Sequence, residues 1–221
     1  MKTLLALSVL CVVLSAAGYS QQINWRALND DQRNIVQLNL GYDFGMTAQI
    51  GYSRSLGFPK PLLVGIEYSF PMGSDLVDDF KVRLGAQMEV VNIGGVSAAV
   101  KASSLFRSYH TDLVRILDFG SDFAAVVGYY HPAWYFGGEF GFDKAITSHI
   151  NHSDLMRAFF PGARDGWYVS TGGHFYYGLQ AGTTIGGSFD ISLRAGATKA
   201  QMHDENATLP RYVQLGLGVR F

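Results

Sequence analysis

The chain has 221 residues, among them 26 Gly, 15 Phe and 12 Tyr against only 6 Pro, and a formal net charge of -1. Its length fits one domain, and a charge this close to zero gives no reason to expect nucleic acid as a partner. Beyond the N-terminal stretch no run of about 18 apolar residues occurs, which excludes a transmembrane helix, whereas abundant Gly and aromatic residues suit strands with one small or polar face.

Met1 to Ser20 reads as a cleaved secretory signal peptide. Lys2 starts it, Leu4 to Leu14 is apolar, and Ser15-Ala16-Ala17-Gly18-Tyr19-Ser20 supplies small residues for cleavage. The only cysteine, Cys11, lies inside the apolar run behind Leu10, a poor lipidation site. With the signal removed, disulfides, thiolate nucleophiles and cysteine-bound metals fall away. Residues 21–32 are polar and read as a periplasmic lead-in, in which Asn29-Asp30-Asp31 can cap a turn.

From Asn34 apolar and polar residues alternate with the period of a strand. Val36, Leu38, Leu40, Tyr42 and Phe44 fall on one face, and Gln37, Asn39, Gly41 and Asp43 on the other. A tight turn near Gly45 leads to a second strand, with Ala48, Ile50 and Tyr52 outward, and Gly57 to Pro61 breaks it. The third strand presents Leu62, Val64, Ile66, Tyr68 and Phe70, and a polar loop spans 71–78. The fourth alternates Phe80, Val82, Leu84, Ala86 and Met88 with Lys81, Arg83, Gly85, Gln87 and Glu89, then turns at Asn92-Ile93-Gly94-Gly95. The fifth carries Val96, Ala98, Val100 and Ala102 outward and Lys101 and Ser103 inward, before a longer loop over 107–117. The sixth and seventh, joined at His131-Pro132, place Asp122, Tyr135 and Glu139 inward. The longest insertion is expected over 143–165. A less regular eighth strand runs from Trp167 to Ile185, and the ninth puts Asp190, Ser192 and Arg194 inward. After a polar loop over 199–210, the tenth strand alternates Val213, Leu215, Leu217, Val219 and Phe221 with Tyr212, Gln214, Gly216, Gly218 and Arg220.

The strand count is even. Connections after the second, fourth, sixth and eighth strands are short, and those after the third, fifth, seventh and ninth are long. That is the pattern of a barrel with short periplasmic turns and long outer loops. Phe44, Phe70, Phe80, Phe106, Phe119, Phe142 and Trp167 then fall at the outer rim, and Tyr129, Trp134, Phe189 and Phe221 at the periplasmic rim, as aromatic girdles require. Signal, alternating strands and a terminal strand ending on Phe together resemble the small, porin-like outer-membrane β-barrel proteins of Gram-negative bacteria. The resemblance covers residues 33–221. It implies that Val213, Leu215, Leu217, Val219 and Phe221 form the signal read by the barrel-assembly machinery, with periplasmic chaperones as earlier partners.

The expectation is therefore an all-β, antiparallel up-and-down transmembrane barrel of about ten strands, with eight to twelve allowed, in the outer membrane among lipid and lipopolysaccharide. Lys81, Arg83, Glu89, Lys101, Asp122, Glu139, Asp190, Arg194 and Arg220 should point into the lumen, either as a network of ion pairs that plugs it or as the lining of a small open channel. Within 143–165, Ile146, Ile150, Met156, Phe159 and Phe160 suggest a partly helical, amphipathic loop. His149, His152, Ser153 and Asp154 lie there, the residue types of an activated serine hydrolase acting on lipid A, and His149 and His152 can share a metal on one helical turn. The bland alternative is a surface loop touching lipopolysaccharide through Lys144, Arg157 and Arg164. No specific catalytic motif is present, so the expected role is non-enzymatic and needs no cofactor or metal. It is structural, adhesive or limited small-solute passage.

Overall fold

The structure, a computed structural model, describes residues 22–42, 46–58, 60–72, 79–169, 172–201 and 210–221. The signal peptide, Phe44 and Gly45, and most of the loops over 71–78 and 199–210 lie outside the described residues. A 3-10 turn at Trp25–Ala27 precedes the strands β1 (Asn34–Tyr42), β2 (Met46–Leu56), β3 (Leu62–Pro71), β4 (Phe80–Ile93), β5 (Val96–His110), β6 (Val114–His131) and β7 (Trp134–His152). A short helix α1 (Asp154–Phe159) is followed by β8 (Gly166–Val169), β9 (Gly173–Ile185), β10 (Phe189–Ala200) and β11 (Arg211–Arg220).

The ladders run β6-β5-β4-β3-β2-β1-β11-β10-β9-β7, and β6 also pairs with β7, so the sheet closes on itself. Along one half of β7, Thr147 to Ile150 face Val169 to Gly166 of β8, while Trp134 to Lys144 face β9. β8 and β9 are thus two pieces of one stave, and the barrel has ten. Its closing seam sets Ile35 to Tyr42 of β1 antiparallel to Arg220 to Val213 of β11. Gly41 lies in that seam, where a Cβ would run into the Val213 carbonyl and the Gln214 backbone.

Period two decides what each strand shows. Val213, Leu215, Leu217 and Val219 of β11 are exposed, and Tyr212, Gln214, Gly216, Gly218 and Arg220 between them are buried. Leu40, Leu215 and Leu193 stand side by side on three strands of this outer surface. Aromatic rings gird it at one end. Phe70, Tyr68, Phe80, Phe106, Phe119 and Trp167 touch in succession, with ring centroids 4.9 to 5.8 Å apart. At the other end, where Asn34 and Phe221 lie, Trp134 packs on Tyr129 at 5.5 Å. We call these the far and near ends. Inside, Tyr135, Tyr176 and Tyr212 sit directly opposite Gly182, Gly141 and Gly196, and each ring lies over its glycine. The missing side chain gives the ring its place, so the glycine-rich wall is filled by tyrosine.

Two expectations change. No long loop follows β5: β5 runs to His110 and β6 begins at Val114. Nor is 143–165 an insertion, because β7 continues to His152 and only Asp154–Phe159 is helical. One extra residue explains the apparent break. Phe119 faces Thr147 and Gly120 faces Ala145, so Ile146 is a bulge that exchanges the two faces of β7. In the lead-in, Gln22, Ile23, Asn24, Trp25 and Ala27 are buried. β1 and β11 have 9 and 10 residues, while β6 and β7 have 18 and 19. Since a tilted strand of about 9–11 residues crosses a bilayer, the β6–β7 pair stands well beyond the far girdle.

Candidate functional site

The interior is the most charged place in the barrel. Lys81, Arg83, Glu89, Lys101, Asp122, Glu139, Asp190, Arg194 and Arg220 are all buried there, together with Glu67. Towards the far end, Arg83 of β4 donates from Nη1 to Glu67 Oε1 of β3 at 2.5 Å. Its Nε lies 3.6 Å from Asp122 Oδ2 of β6. Asp122 faces Asp143 directly across the β6–β7 ladder, a like-charge pairing that would repel if bare. It is not bare, because Arg107 pairs with Asp143, and the Tyr176 hydroxyl donates to Asp122 Oδ1 at 2.7 Å.

At mid-height Arg194 of β10 reaches past β9 to pair with Glu139 of β7, and donates from Nη1 to Gln214 Oε1 at 3.2 Å. The Tyr212 hydroxyl donates to the same Glu139 oxygen at 2.6 Å. The Arg194 guanidinium also lies over the Tyr212 ring at 4.5 Å and the Tyr176 ring at 5.4 Å. Lys101, on β5, sits in the combined field of Glu139, Asp122, Glu67 and Arg194, which come from four other strands. Towards the near end Arg220 donates to Asp190 Oδ1 at 2.8 Å and to Thr184 Oγ1 at 3.2 Å. Glu89 accepts from Ser97 Oγ at 2.5 Å and Asn92 Nδ2 at 2.9 Å.

What this arrangement does physically is compensate buried charge. Arginine is suited to such an interior because its planar fork serves several acceptors at once. Each of these interior ion pairs joins different strands, so the network ties staves together.

The four far-end residues are divided between the two faces of β7 and the start of α1. His149 packs its ring on Trp167 at 4.9 Å, on the outer face with the girdle. His152, three positions along the same strand, falls on the opposite face and places Nδ1 3.0 Å from Asp165 Oδ1. A metal shared on one helical turn is therefore replaced by two histidines on opposite sides of a strand. Ser153 caps α1, its Oγ accepting from Met156 N at 3.2 Å. Asp154 accepts from Arg157 Nη1 at 3.2 Å, and Arg157 Nη2 donates to Asp165 at 2.5 Å. The structure links His152 to Asp154 through Asp165 and Arg157, neither of which was among the four candidates. Asp165 accepts the His152 backbone N–H and ring nitrogen and the Arg157 guanidinium, and these hold its carboxyl down at about 2.

The closed ladder, the apolar outer face with its girdles and the charged interior define the class, a ten-stranded antiparallel barrel of the outer-membrane kind. No family model matches the chain, and no curated protein does. Among solved structures it is similar to the KdgM porin, at 8% identity and a TM-score of 0.46 over 85% of this chain and 99% of that one. The KdgM porin in complex with disordered oligogalacturonate gives 9% identity and 0.44, again over 85% and 99%. The β-domain of the Bordetella autotransporter BrkA gives 13% and 0.39, over 87% and 99%.

Proposed function

We propose that the protein is a non-enzymatic, integral outer-membrane barrel with a closed lumen, and that its work is structural and adhesive. One observation carries the reading: guanidinium and carboxylate groups join non-adjacent strands through the interior, as Arg194 joins Glu139 across β9. Solute passage would have to break buried pairs whose separation leaves charge in a poorly hydrated space. The near end then faces the periplasm, and the tall β6–β7 pair with α1 faces outward as the surface offered to other molecules. Lipid and lipopolysaccharide are its standing neighbours. The assembly machinery reads β11 and Phe221 once the signal peptide is removed.

Planar-bilayer recording of the refolded protein tests closure: a silent bilayer is expected, and stable conductance steps would overturn it in favour of an open channel. Lipid A from cells with and without the protein, compared by mass spectrometry, should show the same acylation. A missing acyl chain would restore the hydrolase reading.

A further inference from the structure

Inward positions in this barrel are mostly polar, small or aromatic over glycine; besides Leu105 and Val126, buried apolar side chains gather near the near end. Ile35 of β1, Leu63 of β3 and Ala99 of β5 face inward, beside Tyr130 of β6 and Tyr135 of β7, whose rings stack at 5.4 Å. Such a patch from five strands would be unfavourable against water. It is covered by residues of this same chain that belong to no stave: Ile23 and Trp25 complete the cluster and are 4% and 5% exposed.

Polar groups fix the segment in place. Asn24, fully buried, donates from Nδ2 to the His131 carbonyl at 3.0 Å, the Pro132 carbonyl at 3.3 Å and Thr184 Oγ1 at 3.1 Å. Gln37 Nε2 donates to the Gln22 carbonyl at 2.7 Å, and Arg26 Nη2 to Asn92 Oδ1 at 2.6 Å. These partners lie on β1, β4, β9 and the β6–β7 turn. The complementarity is that of a receptor and its peptide: an indole and a branched aliphatic in an apolar cavity, with a central amide reading backbone carbonyls. The fit is incomplete at Gln22, whose buried side-chain amide has no hydrogen-bond partner among the described residues.

We infer that the near end of the lumen is a peptide-binding site, and that residues 22–27 are its resident, exchangeable ligand. The peptide class it takes carries an aromatic residue two positions after an aliphatic one, with asparagine between. This goes beyond the closed-lumen reading and does not depend on it, since the pairs around Arg194 and Arg83 lie elsewhere in the lumen.

The experiment cuts the segment free after folding. A protease site inserted between Asn29 and Asp30, both exposed, lets the full barrel form first. After cleavage in detergent the segment should stay with the barrel through gel filtration and be displaced by excess synthetic peptide of sequence 22–28. The same peptide with Trp25→Ala should bind at least ~100-fold more weakly, the scale of losing a buried indole. A second measurement leaves the segment attached. The other two tryptophans, Trp134 and Trp167, are exposed on the outside, so in a Trp134→Phe, Trp167→Phe background Trp25 reports alone. It should resist both acrylamide and lipid-borne quenchers. The inference is overturned if the cut segment leaves a folded barrel and the peptide does not rebind, or if it can be neither removed nor exchanged, or if Trp25 is quenched like a free peptide. Conductance of the uncut protein scores the closure reading separately.

Discussion

Arg194 stands between Glu139, Gln214 and the faces of Tyr212 and Tyr176, with almost none of it reaching solvent. Glu139→Gln would leave that guanidinium buried beside a neutral amide. Breaking a buried pair in this way costs about 3–5 kcal/mol, whereas replacing both partners with apolar groups of similar size is close to neutral. Urea unfolding in micelles should therefore show a large loss for Glu139→Gln and recovery of most of it in Glu139→Leu with Arg194→Met. A single-variant loss below about 1 kcal/mol would mean that water screens the pair and the lumen is not closed. At the far end, Asp165 makes a pH prediction. The His152 backbone N–H is the largest of the influences lowering its carboxyl from 3.8 to about 2. A depressed carboxylate contributes above its unfolded value, so its hold on His152 and Arg157 is complete above about pH 4 and is lost as pH falls towards 2. A carboxyl-carbon NMR titration checks this, and a midpoint at or above 4 rejects it. Inward charges are the residues most legible in the sequence, because alternation assigns a face without knowledge of partners. Arg107 and Asp143 were obscured, since both fell in stretches that read as loops.

α1 has six residues and no buried side chain, so packing gives it little. Its stability comes from local groups: the Ser153 cap and the Arg157 pairs with Asp154 and Asp165. Ser153→Ala should cost about 1 kcal/mol, confined to the helix. Amide exchange of Met156 and Arg157 should quicken while the β7 amides stay protected. A fall in whole-barrel stability would instead assign Ser153 a role in the staves. The strands beyond the girdle were hidden for a related reason. Outside lipid an outward position need not be apolar, and Leu117, Arg115, His149 and Asn151 carry no strand-like alternation of polarity. The bulge at Ile146 then shifts the phase of the inward series, so Ile116 faces Ile150 out of step with the pattern established lower down. The segment at 22–27 was invisible to periodicity because it is too short to have a period, and its partners lie far away in the chain.

At the scale of the molecule, the outer surface decides between a barrel in a bilayer and a soluble barrel with an apolar coat. Leu215 lies near the middle of β11, half exposed, between Leu40 and Leu193 on the neighbouring strands. In a bilayer an arginine there sits near the hydrocarbon midplane and costs about 2–4 kcal/mol. The same change at Val213 or Val219, closer to the ends of the strand, should cost less, because depth sets the cost. A soluble coat predicts no such depth profile, since solvated arginine is tolerated anywhere on an exposed strand face. Unfolding free energies in lipid vesicles of Val213→Arg, Leu215→Arg and Val219→Arg therefore give a curve with its largest loss at Leu215. A flat curve would remove the membrane assignment while leaving the ten-stave closure intact. The interior pairs supply the control: Glu139→Gln should cost the same in thick and thin bilayers, because it is shielded from lipid by the wall it helps to hold.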